Sequence, residues 1–189
     1  TVTVPNLSGD SYAIVLANSD GTLYRYEADS LGGGGGGAGG GYDDLNCTSN
    51  GDNAVCYGPN ANATGQNTTA IGANATAATS ANTTDFGATA VGYKANAAGG
   101  NATAMGRQAN ARGTQSTAIG YGALANTTKS LALGAESNAN KANGIAIGAL
   151  ANSDGVNATA IGTEAIANAW NSTAIGACSQ ATRGNSIAI

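Results

Sequence analysis

Large and small apolar positions alternate along most of this chain on a fixed fourteen-residue cycle. A glycine opens each cycle at Gly92, Gly106, Gly120, Gly134, Gly148, Gly162 and Gly176, and the same register runs back to Gly72 and Gly58. Counting each cycle from its glycine as position 1, positions 4 and 6 are almost always alanine, as in Ala95 and Ala97 or Ala165 and Ala167. Positions 11 and 13 are also tiny, as in Ala102 and Ala104 or Ser116 and Ala118. Position 14 is the large aliphatic one: Ile71, Val91, Met105, Ile119, Leu133, Ile147, Ile161, Ile175 and Ile189. Position 12 is threonine in most cycles and aliphatic at Leu131, Ile145 and Ile187. Alternate residues share one face of a strand, so positions 4–6 and 11–14 predict two short strands separated by turns such as Ala142-Asn143-Gly144. A fixed period of this kind names a repeat architecture before any single residue is interpreted.

A helical alternative fails. Glycine in every cycle, with asparagine and threonine at high density, has poor helix propensity, and no face of period 3.6 collects the large apolar residues. The expected fold class is all-β: a parallel β-roll of fourteen-residue coils in which each strand pairs with its equivalent one coil away. Two departures are evident. Gly72 to Gly92 spans twenty residues, placing a six-residue insertion near 80–85. The chain before residue 54 is also irregular, giving an expected division into a cap over 1–53 and repeats over 54–189. In the cap, Tyr12–Leu16 and Thr22–Tyr26 around Asn18-Ser19-Asp20-Gly21 read as a hairpin. A ten-residue run over 32–41 that is glycine except at Ala38 follows. It lacks the Gly-Lys-Ser/Thr ending of a phosphate loop, and reads as a connection or as a place where chains crowd together.

The phase of the strands carries the functional argument. If the tiny residues at positions 4, 6, 11 and 13 face each other, the interior is narrow and flattened. The aliphatics at position 14 then stand in an outward row, a patch that soluble monomers avoid. The simplest cover is the same row from symmetry-related chains, making Ile71, Val91, Met105, Ile119, Leu133, Ile147, Ile161 and Ile175 the expected interface of a closed homo-oligomer. In the opposite phase the aliphatics would fill the coil and the alanines would lie outside.

Charge and chemistry narrow the function further. Residues 1–58 carry seven acids against Arg25 alone, a net −6, while residues 59–189 carry four acids against six bases, a net +2. An acidic end on a nearly neutral rod gives no support to nucleic-acid binding. Histidine is absent and charged residues are 10%, which leaves little material for catalysis, a metal or another cofactor, and none is expected. Cys47 and Cys56, nine residues apart in a turn-rich stretch, are expected to form a disulfide, in keeping with an oxidising compartment. Cys178 is left over at position 3 and is expected to be exposed and incidental. Tyr42, Asp43 and Asp44 are the candidate contacts at the tip, where the two carboxylates either meet a cation or are solvated loop charges. Asn-x-Ser/Thr triplets such as Asn101-Ala102-Thr103 follow from the repeat itself, and no glycans are expected on them.

The tandem (small)-x-Ala-Ile-Gly-x-x-Ala-x-Ala pattern, clearest in Ser116-Thr117-Ala118-Ile119-Gly120 and Ser172-Thr173-Ala174-Ile175-Gly176, resembles the head repeat of trimeric autotransporter adhesins, the YadA-like group. The resemblance covers about residues 54–189. It implies a left-handed β-roll packed side by side as a homotrimer. It also implies a bacterial cell-surface location, with anchoring in the outer membrane through a C-terminal stalk and barrel absent from these 189 residues. Such heads bind extracellular matrix proteins, host cells or abiotic surfaces, without direct membrane contact by the head. The competing classes are weaker. An ice-binding face would need an unbroken threonine row, and Leu131, Ile145 and Ile187 interrupt it. A trimeric phage-type fibre shares the symmetry and would lack a stalk and barrel downstream. A hexapeptide acyltransferase would show a six-residue period and typically a histidine, and a calcium-binding nonapeptide roll would show a recurring aspartate.

Overall fold

The computed structural model describes residues 13–17, 23–27, 47–49, 53–78 and 87–189. Near the N-terminus, Ala13–Ala17 and Leu23–Glu27 pair antiparallel, with Ala13 opposite Glu27 and Ala17 opposite Leu23. The turn between them, the glycine-rich run over 32–41 and residues 42–44 lie outside the described residues.

From Thr48 onward the chain winds into two parallel sheets of ten strands each. The long-strand sheet takes positions 12–14 of every coil, from Val55–Tyr57 and Thr69–Ile71 through to Thr173–Ile175 and Ile187–Ala188. The short-strand sheet takes positions 5 and 6, from Thr48–Ser49 and Asn62–Ala63 to Gln180–Ala181. Every strand between the two ends of a sheet pairs with its equivalent in the coils before and after: Ala104 lies beside both Ala90 and Ala118, and Ala111 beside both Ala97 and Ala125. The roll is therefore an all-β parallel solenoid of about nine fourteen-residue turns. Pairing starts at Thr48–Ser49, ahead of the boundary at 54 that the repeat pattern suggests. The six extra residues leave the register intact, since Thr69 pairs with Thr89 and Thr76 with Asn96 across the insertion.

Two residues per coil turn the chain. Positions 3 and 10 both adopt left-handed backbone, for example Glu136 at φ 55° and Asn143 at φ 56°. Each coil is thus two seven-residue halves, and a left-handed residue bends the chain into each strand. Asparagine, which tolerates this conformation best after glycine, fills position 10 at Asn53, Asn67, Asn101, Asn143, Asn157, Asn171 and Asn185. Its side chains run as a ladder along the roll, Asn143 donating to Asn157 at 3.0 Å and Asn157 to Asn171 at 3.1 Å.

The glycine at position 1 has a second reason to be there. Gly120 sits at φ +132°, and a Cβ built on it would lie 2.5 Å from the Gly134 carbonyl oxygen of the next coil. The backbones are in direct contact at this corner, so every coil is locked above the one before.

The interior is made of methyl groups. Among the described residues, positions 4, 6, 11 and 13 are buried through the middle coils and open only at Cys47 and Ser49 in the first coil and at Ser179, Ser186 and Ala188 in the last. Apart from Cys56 the buried hydrophobic residues are all alanine. The largest fully buried side chains are Thr68 and a few serines. Most of their hydroxyls donate to nearby carbonyls, Ser130 to Thr127 O and Ser172 to Ala169 O at 2.6 Å each, while Ser116 Oγ is buried without a partner. Of the two phases open from sequence, the structure takes the one with alanines inside.

Candidate functional surface

An alanine core sets the energetic problem this molecule has to solve. One buried methyl contributes about 0.8 kcal/mol, whereas fixing a residue's backbone costs roughly 1–2 kcal/mol. Backbone hydrogen bonds between coils, such as Thr117 N to Ser130 O at 2.9 Å, satisfy the main chain but add little net stability each. The groups able to close the gap are the large aliphatics, and they lie on the outer face of the long-strand sheet. Ile71 is 38% exposed, Met105 44%, Leu133 40% and Ile175 39%, while Val91, Ile119, Ile147 and Ile161 are half-buried. Position 12 shares the face, so Leu131 and Ile145 flank Leu133 and Ile147 as a broadened apolar patch in the middle of the row. All eight residues expected at an interface therefore stand in register on one uncovered strip.

The remaining candidate residues fall elsewhere. Cys47 and Cys56 form a disulfide with their Cα atoms 6.1 Å apart. By register they occupy positions 4 and 13, the two inward-facing places where later coils put alanines such as Ala61 and Ala70. The bond therefore spans the narrow interior between the two sheets in the first coil. Cys178 is exposed, at φ 59°, with Sγ 3.7 Å from Glu164 Oε2. Tyr42, Asp43 and Asp44 lie outside the described residues. Among the described residues no group of three or more His, Cys, Asp or Glu side chains is placed to hold a metal ion, and no helix is long and apolar enough to cross a membrane.

Two surface features escape a reading of the repeat alone. At position 2, Tyr93, Arg107 and Tyr121 stack in successive coils, with the guanidinium carbon 5.8 Å from one ring centroid and 5.5 Å from the other. At position 9, Trp170 is 58% exposed and its indole lies over Gly184 in the next coil, within 3 Å of where a Cβ would be. The signal for both is the fourteen-residue spacing read down a column rather than along the chain.

A parallel solenoid with a methyl-filled interior and one outward aliphatic strip defines a repetitive structural scaffold. The YadA head domain repeat matches it at residues 49–75, 86–109, 97–123, 111–137, 125–151, 153–177 and 171–189. The chain belongs to that family, the head modules of trimeric autotransporter adhesins. No curated protein sequence matches it.

Proposed function

We propose that this chain is the adhesive, non-catalytic head of a homotrimer at the bacterial surface. Three left-handed rolls pack lengthwise through the position 12 and 14 faces, keeping the aliphatic strip dry. The resulting rod presents its other faces and its N-terminal end to an extracellular matrix protein, a host cell or an abiotic surface. A C-terminal region beyond these residues anchors it in the outer membrane. The observation that carries this reading is the continuous row from Ile71 to Ile175, half exposed over an interior that holds only small side chains. A rod stabilised by self-association needs no pocket and no reactive group, which suits attachment rather than turnover.

The test is retention on a panel of immobilised matrix proteins and plain polystyrene, with the full chain and with a version lacking residues 1–46, which keeps Cys47 and the first strand of the roll. Binding lost with the N-terminal segment places the contact at the tip, and binding kept places it along the roll. A trimer that adheres to none of these surfaces refutes the adhesive reading. The same face carries half-exposed Thr103, Thr117, Thr159 and Thr173, so thermal hysteresis in a freezing assay would point to ice binding instead.

A further inference from the structure

Position 2 of the coil imposes no large side chain on the fold. It holds alanine at Ala73, Ala135, Ala149 and Ala177, which shows that the roll closes without one. In three consecutive coils it holds Tyr93, Arg107 and Tyr121 instead, with Lys94 beside the first ring, its Nζ 5.2 Å from the Tyr93 centroid. Tyr93 is 42% exposed and Tyr121 is 45% exposed, so the three side chains form a raised ridge on an otherwise flat corner.

The ridge is held from beneath. A Cβ on Gly92 would meet Gly106 O at 2.6 Å, one on Gly106 would meet Gly120 O at 2.6 Å, and one on Gly120 would meet Gly134 O at 2.5 Å. With the backbones in contact, the three coils have no freedom to slide, and the stacked groups keep their spacing of about 4.8 Å per coil. A guanidinium sandwiched between two rings loses rotational freedom while its in-plane N–H groups remain donors, and Arg107 is exposed. Two cations thus share one corner of the roll, Lys94 standing one coil from Arg107, each stacked on the Tyr93 ring. The next acid in these turn columns is Glu136, in the coil after Tyr121.

We propose that Lys94, Tyr93, Arg107 and Tyr121 bind an acidic polysaccharide, with a sulfate or carboxylate on Arg107 and Lys94 and a sugar face against the free side of Tyr121. Resting on the adhesive reading above, this names the partner class for one lateral surface of the rod. Beyond Tyr121 the column drops to Ala135, with Glu136 beside it and its Cγ close to Gly122, so the ligand's charges lie toward Lys94 and Arg107 and only an uncharged sugar face meets Tyr121. A peptide fits less well: strands at this level are paired on both sides within the roll, so they offer no edge for strand addition. A linear polyanion needs neither edge nor groove, only charges in a row, and three copies around a trimer would multiply modest single-site affinity.

The test uses dextran sulfate as probe and neutral dextran as control, on the full chain in its assembled state. Dextran sulfate is expected to bind with affinity falling steeply with salt, and dextran not at all. Arg107→Gln should weaken binding about tenfold or more, the effect of losing one charge-assisted contact set. Tyr93→Ala with Tyr121→Ala should weaken it comparably while leaving the net charge unchanged. Lys129→Gln with Arg183→Gln removes two charges from the opposite turn of the coil and should leave binding near wild type. Equal losses in that control and in Arg107→Gln would overturn the proposal, because binding would then follow bulk charge. Poly-L-glutamate binding as tightly as dextran sulfate would overturn the choice of a glycan. A chain that adheres to matrix or plastic yet ignores dextran sulfate defeats this inference alone, whereas one that adheres to nothing defeats the adhesive reading as well.

Discussion

Replacing Ile147 by alanine separates a covered strip from a merely apolar one. Ile147 lies on the outer face at mid-roll, paired with Leu133 and Ile161, and is half-buried in the single chain. The substitution removes three carbons, each contributing about 0.8 kcal/mol when buried, so full coverage predicts a loss of about 2.4 kcal/mol per protomer. Counted in each of three protomers, the loss is about 7 kcal/mol per trimer. That raises the protomer concentration at half-assembly by roughly two to three orders of magnitude. Leu150→Ala is the internal reference: Leu150 is a side chain of the same size, 49% exposed on the turn just beyond the strand. Its removal should change stability by no more than about 0.5 kcal/mol and leave assembly where it was. The assay is denaturant unfolding at several protein concentrations, with sedimentation velocity across a dilution series. Equal, concentration-independent effects of the two substitutions would refute the claim that the strip is covered.

Other consequences follow from single positions. Gly120→Ala should cost at least about 3 kcal/mol in thermal or denaturant unfolding, because its Cβ would press on Gly134 O from a backbone conformation closed to alanine. Cys47→Ala should destabilise the first coil by roughly 2–3 kcal/mol through lost loop constraint, read as faster amide exchange there with the later coils unchanged. Lys129→Asn should stabilise by about 0.5–1 kcal/mol, since Lys129 holds φ 58° where asparagine is the better fit. A maleimide should label Cys178 in the native chain and spare Cys47 and Cys56 until reductant and denaturant are added.

The coil itself is legible in sequence because two opposite demands fall on neighbouring residues. Ala118 has no room to be anything larger, while Ile119, one residue on, faces away from the interior and is free to be large. That contrast fixes the phase of the strand as well as its period. The glycine column is equally plain, although its reason emerges only from the structure, where a Cβ on Gly120 would lie 2.5 Å from Gly134 O. The left-handed positions are half visible: Asn143 and Asn157 announce them, whereas Lys129, Leu150 and Cys178 adopt the same backbone with no compositional sign. The disulfide pairing follows from spacing, but its setting does not. Nine residues suggest a loop clip, and only the register shows Cys47 and Cys56 meeting across the interior. The Tyr93–Arg107–Tyr121 ridge stays hidden for a related reason: its members are neighbours down a column and strangers along the chain. The candidates Tyr42, Asp43 and Asp44 lie where the repeat begins and match none of its recurring residue types, so the period assigns them no role.

Sedimentation equilibrium on the purified chain at micromolar concentration bears most directly on the whole account. A mass three times the 18.1 kDa of one chain, with β structure by circular dichroism, is the predicted result. A folded single chain of 18.1 kDa at the same concentration would contradict it, because the row from Ile71 to Ile175 would then be stable in water with nothing to cover it.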